Sequence, residues 1–290
     1  MAYVRKLYDF GSSREYEYNF RGKYGAKGEK RAPRRKRTPE EVEKQNHRNK
    51  VKNLRRKIKL NFEEGDLWVC LKYPAGVRKH IKDVKQDVRD FCTLMRAEYK
   101  KRGILFKWVR RIEVGHLGGV HVHFIINRIP GEETGLVIND CWKPGSVNVQ
   151  YMYEAGGFEQ LAEYIAKEPE SDDGQMVLPG IGLEERKAFM MYSCSRNLKR
   201  PKDVVQEKEF TRTTMRKIVN EGPTPSPGYY IDPDSIREGV NPFTGMSYLY
   251  YTEYRLKTPG NVNFIRYAAI RENIKARNLK EKGNQKRNSR

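Results

Sequence analysis

Several things are scarce in this chain, and each scarcity excludes something. Its four cysteines, Cys70, Cys92, Cys141 and Cys194, stand far apart and form no Cys-x-x-Cys pair, which argues against a zinc ribbon and a disulfide framework and fits a reducing compartment. No apolar run approaches the roughly 18–20 residues of a membrane helix. The opening residues Met1, Ala2, Tyr3, Val4, Arg5 and Lys6 lack the apolar stretch of a signal peptide. A cytoplasmic protein with no membrane partner is therefore expected. No Gly-x-x-x-x-Gly-Lys-Ser/Thr motif occurs, so no fused nucleotide-driven helicase is expected. Internal repeats with a period of about 20–50 residues are absent too.

Acidic residues are scarce at the ends. The 290 residues carry 58 Lys+Arg against 37 Asp+Glu, a net charge of +21. Residues 1–60 hold +13 of it and residues 261–290 hold +7, while residues 61–260 hold +1. Basic ends on a near-neutral body point to a polyanionic partner, because Lys and Arg neutralising phosphates supply most sequence-independent affinity for nucleic acid. Residues 22–37, with the run Arg34, Arg35, Lys36 and Arg37, have too little apolar content to offset the entropy of ordering and read as a flexible phosphate-gripping arm.

Thr38, Pro39 and Glu41 form a helix-start signature, with Thr38 as N-cap, Pro39 at the first helical position and Glu41 closing a capping box. The helix to about residue 59 has a thin apolar stripe, Val51, Leu54 and Ile58, under a basic surface. That surface is equally a solvated face or a DNA contact. Alternation predicts a strand over 67–73. Ile81, Val84, Val88, Phe91, Cys92, Met95 and Tyr99 recur at helical spacing. Strands are predicted over 104–114, 120–127 and 146–152, and a further helix from about residue 157. The order β-α-β-β-β-α, with hairpins in place of repeated crossovers, implies an α+β fold whose mainly antiparallel sheet is covered by helices on one face. Three segments are expected: a basic arm and helix over 1–59, one main domain over 60–205, and a turn-rich aromatic extension with a basic tail over 206–290.

Three of the five histidines, His116, His121 and His123, fall within eight residues. On a strand His121 and His123 share one face while Val120, Val122, Phe124 and Ile126 share the other. A glycine-containing turn folds the preceding strand back, so Glu113 can fall opposite the pair. Two imidazoles and one carboxylate suit a divalent ion with open positions. His116 sits in the turn and reads as a loop residue or a DNA contact. Taken alone, paired histidines are equally the polar residues of a solvated sheet face. A second pattern shifts the balance: the helix from about residue 157 buries Phe158, Leu161 and Ile165, leaving Tyr164 and Lys167 three apart on another face. Tyrosine and lysine near a divalent ion suit attack on a phosphodiester, which needs a deprotonated phenol, an electrophilic phosphorus and cations around the developing charge.

Together these motifs resemble the HUH endonucleases, in particular the rolling-circle replication initiators of bacterial plasmids, integrative elements and phages. The His-hydrophobic-His motif is matched by His121, Val122 and His123, and Tyr-x-x-Lys by Tyr164, Ile165, Ala166 and Lys167. Phe62-x-x-Gly65-Asp66, Gly145-Ser146-Val147 and Ser195-Arg196-Asn197-Leu198 extend the likeness over roughly residues 60–200. Lys72 departs from it, standing where a threonine is more usual.

The resemblance implies an HUH-type palm and a bacterial, metal-dependent nickase. Glu113, His121 and His123 would hold Mn²⁺ or Mg²⁺, and Tyr164 would attack single-stranded or hairpin origin DNA, keep the 5′-phosphate and release a 3′-OH. Lys167 would compensate charge, and Glu168 is either a further ligand or surface. Unwinding would fall to a host helicase. With one candidate nucleophile, Tyr151 and Tyr153 stay open as second tyrosines. Arg34, Arg35, Lys36, Arg37, Trp142 and Arg196 are candidate DNA contacts, Trp142 by base stacking from a polar turn; Trp68, Trp108 and Tyr99 read as core. The alternatives are a single-strand transposase, a relaxase, or a non-catalytic RNA- or ssDNA-binding sheet using the chain's 18 Tyr, 11 Phe and 3 Trp.

Overall fold

The computed structural model describes residues 3–21, 38–115, 119–152, 158–167, 189–203, 205–241 and 245–256. Its elements begin with β1 (Tyr3–Asp9), β2 (Ser13–Phe20), α1 (Pro39–Asn61), β3 (Leu67–Lys72), α2 (Ile81–Lys101), β4 (Trp108–Val114), β5 (Val120–Ile126) and α3 (Thr134–Cys141). There follow β6 (Ser146–Tyr151), α4 (Glu159–Ala166), β7 (Ser193–Cys194), β8 (Val205–Phe210), α5 (Arg212–Glu221), β9 (Tyr229–Ile231), β10 (Arg237–Asn241) and β11 (Met246–Arg255). The fold is α+β, and every strand pairing among the described residues is antiparallel.

The chain divides into two compact units, residues 38–200 and residues 1–37 with 201–290. This partition differs from the expected three segments. Helix α1 belongs with the central domain, and β1 and β2 lie inside a sheet of order β10-β11-β2-β1-β8, with β9 also on β11. Tyr3, Leu7, Tyr16, Tyr18, Leu249 and Tyr251 share its core with Met215 of α5. A hairpin at the start of the chain thus pairs with strands about 200 residues away, a non-local match that local patterning does not encode.

In the unit spanning residues 38–200 the sheet order is β6-β3-β5-β4-β7. Helix α1 starts as its sequence dictates: Thr38 Oγ1 accepts the Glu41 N–H at 3.2 Å and Glu41 Oε2 accepts the Thr38 N–H at 3.0 Å. Helix α2 buries the seven apolar residues of its stripe against Leu67, Val69, Leu71, Ile112, Val122 and Phe124, with α3 joining that core through Ile138. Helices cover part of the opposite face as well, which differs from the one-faced expectation. There Val109 and Ile125 meet Leu54 and Ile58 of α1 and Ala162 and Ile165 of α4. The strands carry apolar residues on both faces at this end, and only the far end of the second face is polar.

The family-like motifs outside the reactive residues are fold devices. Gly65 takes φ +89°, and Asp66 after it is buried, its carboxylate accepting the N–H groups of Glu63 and Arg128, each at 2.8 Å. A Cβ on Gly145 would come within 2.1 Å of the Lys72 carbonyl oxygen, so only glycine lets β6 begin beside the end of β3. Ser195 Oγ accepts the Trp108 N–H at 3.1 Å and Asn197 donates to the Phe106 carbonyl at 3.0 Å, tying down the start of β4.

Candidate active site

The register of β4, β5 and β3 decides what shares the polar face. Glu113 lies directly opposite His121, Arg111 opposite His123, and on the other side Cys70 opposite His123 and Lys72 opposite His121. Opposite residues of an antiparallel pair project to the same side, with Cβ atoms about 4.5–5.5 Å apart. Helix α4, seated on the apolar end of this face, carries Tyr164 over it.

Three of the expected residues meet. Tyr164 donates its hydroxyl to Glu113 Oε2 at 2.7 Å and lies 3.2 Å from His123 Nε2; His123 Nε2 is itself 3.1 Å from Glu113 Oε2. Tyr164 is 38 % exposed, so a strand of DNA can reach the phenol. His121 is exposed on the same face, its ring centroid 6.4 Å from that of His123. Lys167 has left the helix: with φ −48° and ψ 131° it is the C-cap of α4, so it does not share a helical face with Tyr164 as its spacing suggests. Arg196 is exposed in a turn. Arg34, Arg35, Lys36, Arg37, His116, Tyr153 and Glu168 lie outside the described residues. Tyr151 is described, and its register partner Leu67 places it on the sheet face opposite the histidines.

Trp142 is not a stacking platform. It is 2 % exposed, packs edge-on to Tyr73 and Phe91, and donates Nε1–H to the Lys72 carbonyl at 3.2 Å. The polar residues around it disguise the end of α3, whose last turn it completes. Conversely, Trp68 is more than core. It lies flat on the His123 ring, centroids 5.2 Å apart and planes 14° apart, and meets Tyr164 edge-on at 5.7 Å. The sequence holds a signal for this, since Trp68, Cys70 and Lys72 alternate onto the face of the paired histidines. Tyr99 is core as expected, fully buried.

The electrostatics form a closed set. Burial pushes the Glu113 carboxyl up, but hydrogen bonds from His123 and Tyr164 and the charges of His123 and Arg111 outweigh it and hold the carboxyl down at about 2. Burial lowers His123, but Cys70 and the Glu113 carboxylate outweigh that and raise it to about 9. The imidazolium thus stands against the π-face of Trp68, a favourable cation–π placement. Burial and the Glu113 carboxylate raise the Tyr164 phenol well above its usual range. His121 is lowered by burial and by the positive charges of His123 and Lys72.

These shifts carry a stability signature. His123, raised from 6.5, stabilises the fold fully below pH 6.5 and loses that contribution as pH rises through about 9; Glu113, lowered from 4.5, contributes above pH 4.5 and loses it as pH falls through about 2. The pair therefore contributes most between pH 4.5 and 6.5. Denaturant unfolding of the metal-free protein is expected to show about 1–2 kcal/mol lost between about pH 6.5 and 9.5, after allowance for solvent screening. His123→Gln should remove that part of the slope; an equal slope in the variant would assign it to other groups.

Among the described residues no group of three His, Cys, Asp or Glu side chains is gathered for one metal ion. The donor chemistry nonetheless fits a divalent cation: Glu113 and His123 already face each other, and His121, opposite Glu113 in register, needs a side-chain rotation and no change of backbone to join them.

No curated protein and no solved structure matches the chain. The family model of the replication-associated protein ORF2 type matches residues 66–169, a span that runs from the head of β3 past α4 and contains Glu113, His121, His123, Tyr164 and Lys167. That match supports a role in replication initiation.

Proposed function

We propose that the protein is a tyrosine-dependent HUH endonuclease that nicks and rejoins single-stranded or hairpin origin DNA to start rolling-circle replication. The single observation that carries the reading is the meeting of Tyr164, Glu113 and His123 within 3.2 Å on an exposed sheet face. Tyr164 supplies the attacking oxygen: an Oη–P bond forms, the P–O3′ bond breaks, the 5′-phosphate stays on the tyrosine, and the phenolic proton ends on the departing 3′-oxygen. Glu113 orients the phenol by accepting its hydrogen bond. Bound by Glu113, His121 and His123, a Mn²⁺ or Mg²⁺ ion would polarise the scissile phosphate. Lys167, next to the helix end, is placed to neutralise phosphate charge. Strand separation falls to a separate helicase.

The test is incubation with single-stranded origin DNA and Mn²⁺, followed by a denaturing gel. A covalent protein–DNA adduct that disappears with EDTA supports the reading; binding without any adduct leaves a non-catalytic DNA-binding protein.

The position of β1 and β2 inside a sheet changes how the basic N-terminal segment is tested, because deleting residues 1–37 would remove two paired strands. Replacing Arg34, Arg35, Lys36 and Arg37 with glutamine avoids this. The slope of log affinity against log salt is expected to flatten by about 0.7–0.9 for each phosphate that is no longer neutralised. An unchanged slope would remove these four residues from the DNA interface.

A further inference from the structure

Arg111 is a charged side chain that the proposed reaction does not use, and it is 3 % exposed. Burying a guanidinium is costly unless its charge and its donors are matched, so its partners indicate what it is for. Its Nε lies 3.2 Å from Glu113 Oε1. Its Nη1 converges on the end of α4, donating to the carbonyl oxygens of Tyr164 and Ile165, each at 3.1 Å, and to that of Lys167. These carbonyls belong to the last turn of the helix, where no further helical N–H follows to donate to them, and a cation there also complements the helix dipole.

The connections close on one residue. Arg111 holds the backbone of Tyr164 directly through its carbonyl, and holds its phenol indirectly, because the carboxylate it pairs with accepts the Tyr164 hydroxyl through the other oxygen. A helix of eight residues is too short to be stable on its own. Its apolar residues fix it to α1 and the sheet, yet they leave its rotation and axial position less defined than a reacting oxygen requires. Four polar contacts from one strand residue supply that definition.

We propose that Arg111 is a positioning residue for the nicking reaction, one buried guanidinium that locks the C-terminal end of α4 to β4 and so fixes the Tyr164 oxygen against Glu113 and His123. The inference rests on Tyr164 being the nucleophile, but its structural part does not. Lysine at this position keeps the charge beside Glu113 and loses the planar fork that reaches the helix carbonyls. Methionine keeps much of the volume and loses both.

The experiment has two arms on the full-length chain, each comparing wild type, Arg111→Lys and Arg111→Met. In the first, single-turnover adduct formation with Mn²⁺ is measured beside ssDNA affinity. A displacement of the attacking oxygen by about 1 Å is worth about 100-fold in rate, so Arg111→Met is expected to slow adduct formation by that order with little change in DNA affinity. Arg111→Lys should fall between, and added methylguanidinium should restore part of the Arg111→Met rate, which it could not do for a merely misfolded protein. Unchanged rates in both variants, with wild type active, would overturn the inference and leave the proposed function standing. In the second arm, amide hydrogen exchange is followed without DNA or metal. Exchange over residues 159–167 is expected to rise about tenfold in Arg111→Met while α2 stays as in wild type. Equal exchange over α4 would overturn the inference even if wild type forms no adduct, and loss of protection throughout would do so as well, by making Arg111 a residue of the fold at large.

Discussion

Tyr164→Phe is expected to eliminate the covalent DNA adduct, a loss on the order of 10⁴ or more in rate, because the substitution removes the attacking atom and leaves everything around it. The phenyl ring keeps the edge-on contacts of Tyr164 to Trp68 and His123, so α4 keeps its seat. What disappears is the hydrogen bond to Glu113, which costs about 1 kcal/mol of stability. Glu113 retains Arg111 and His123 as partners, so no buried charge is orphaned and DNA affinity should stay close to wild type. Tyr151 does not substitute on geometric grounds, since it stands on the sheet face that carries Leu67, away from the histidines. Peptide mapping of the wild-type adduct should find DNA on Tyr164. An adduct that persists in Tyr164→Phe would reassign the nucleophile, and its mapped position would say to which residue.

The reactive centre is legible in the sequence because it depends on two short-range regularities. Period-two alternation puts His121 and His123 on one face, and a glycine turn of limited length leaves Glu113 one possible neighbour across the hairpin; the register pairs Glu113 with His121. The stripe of α2 and the capping box of α1 are likewise local. The parts that are not legible have different physics. Strands β1 and β2 find their partners in β8 and β11, far along the chain, and their charged residues hide an aromatic alternation. Arg111 cannot be read as a positioning residue because a buried guanidinium is identified by its acceptors, here backbone carbonyls of α4 that no side-chain pattern reports. Lys167 shows the limit of spacing arguments: Tyr-x-x-Lys implies one helical face only while the helix continues, and this helix ends before the lysine.

Trp142→Ala is expected to cost about 3–5 kcal/mol of unfolding free energy, a large fraction of the stability of an ordinary domain. The indole fills the space between Tyr73 and Phe91 at ring-centroid distances of 5.4 and 5.9 Å, so its removal leaves a cavity in the principal core. It also strands the Lys72 carbonyl that accepts Nε1–H at 3.2 Å, and that carbonyl terminates β3 just across from His121. Trp142→Phe separates the two effects: most of the ring remains while the donor goes, and the expected loss is about 1–2 kcal/mol for the bond and the smaller volume. Urea unfolding of the three proteins with a common slope measures the series, and ssDNA affinity of the folded variants measured beside it decides between burial and base contact. Burial predicts graded stability with affinity held. Stability within about 1 kcal/mol of wild type in Trp142→Ala, together with weakened ssDNA binding, would return Trp142 to the DNA interface and contradict its placement in the core.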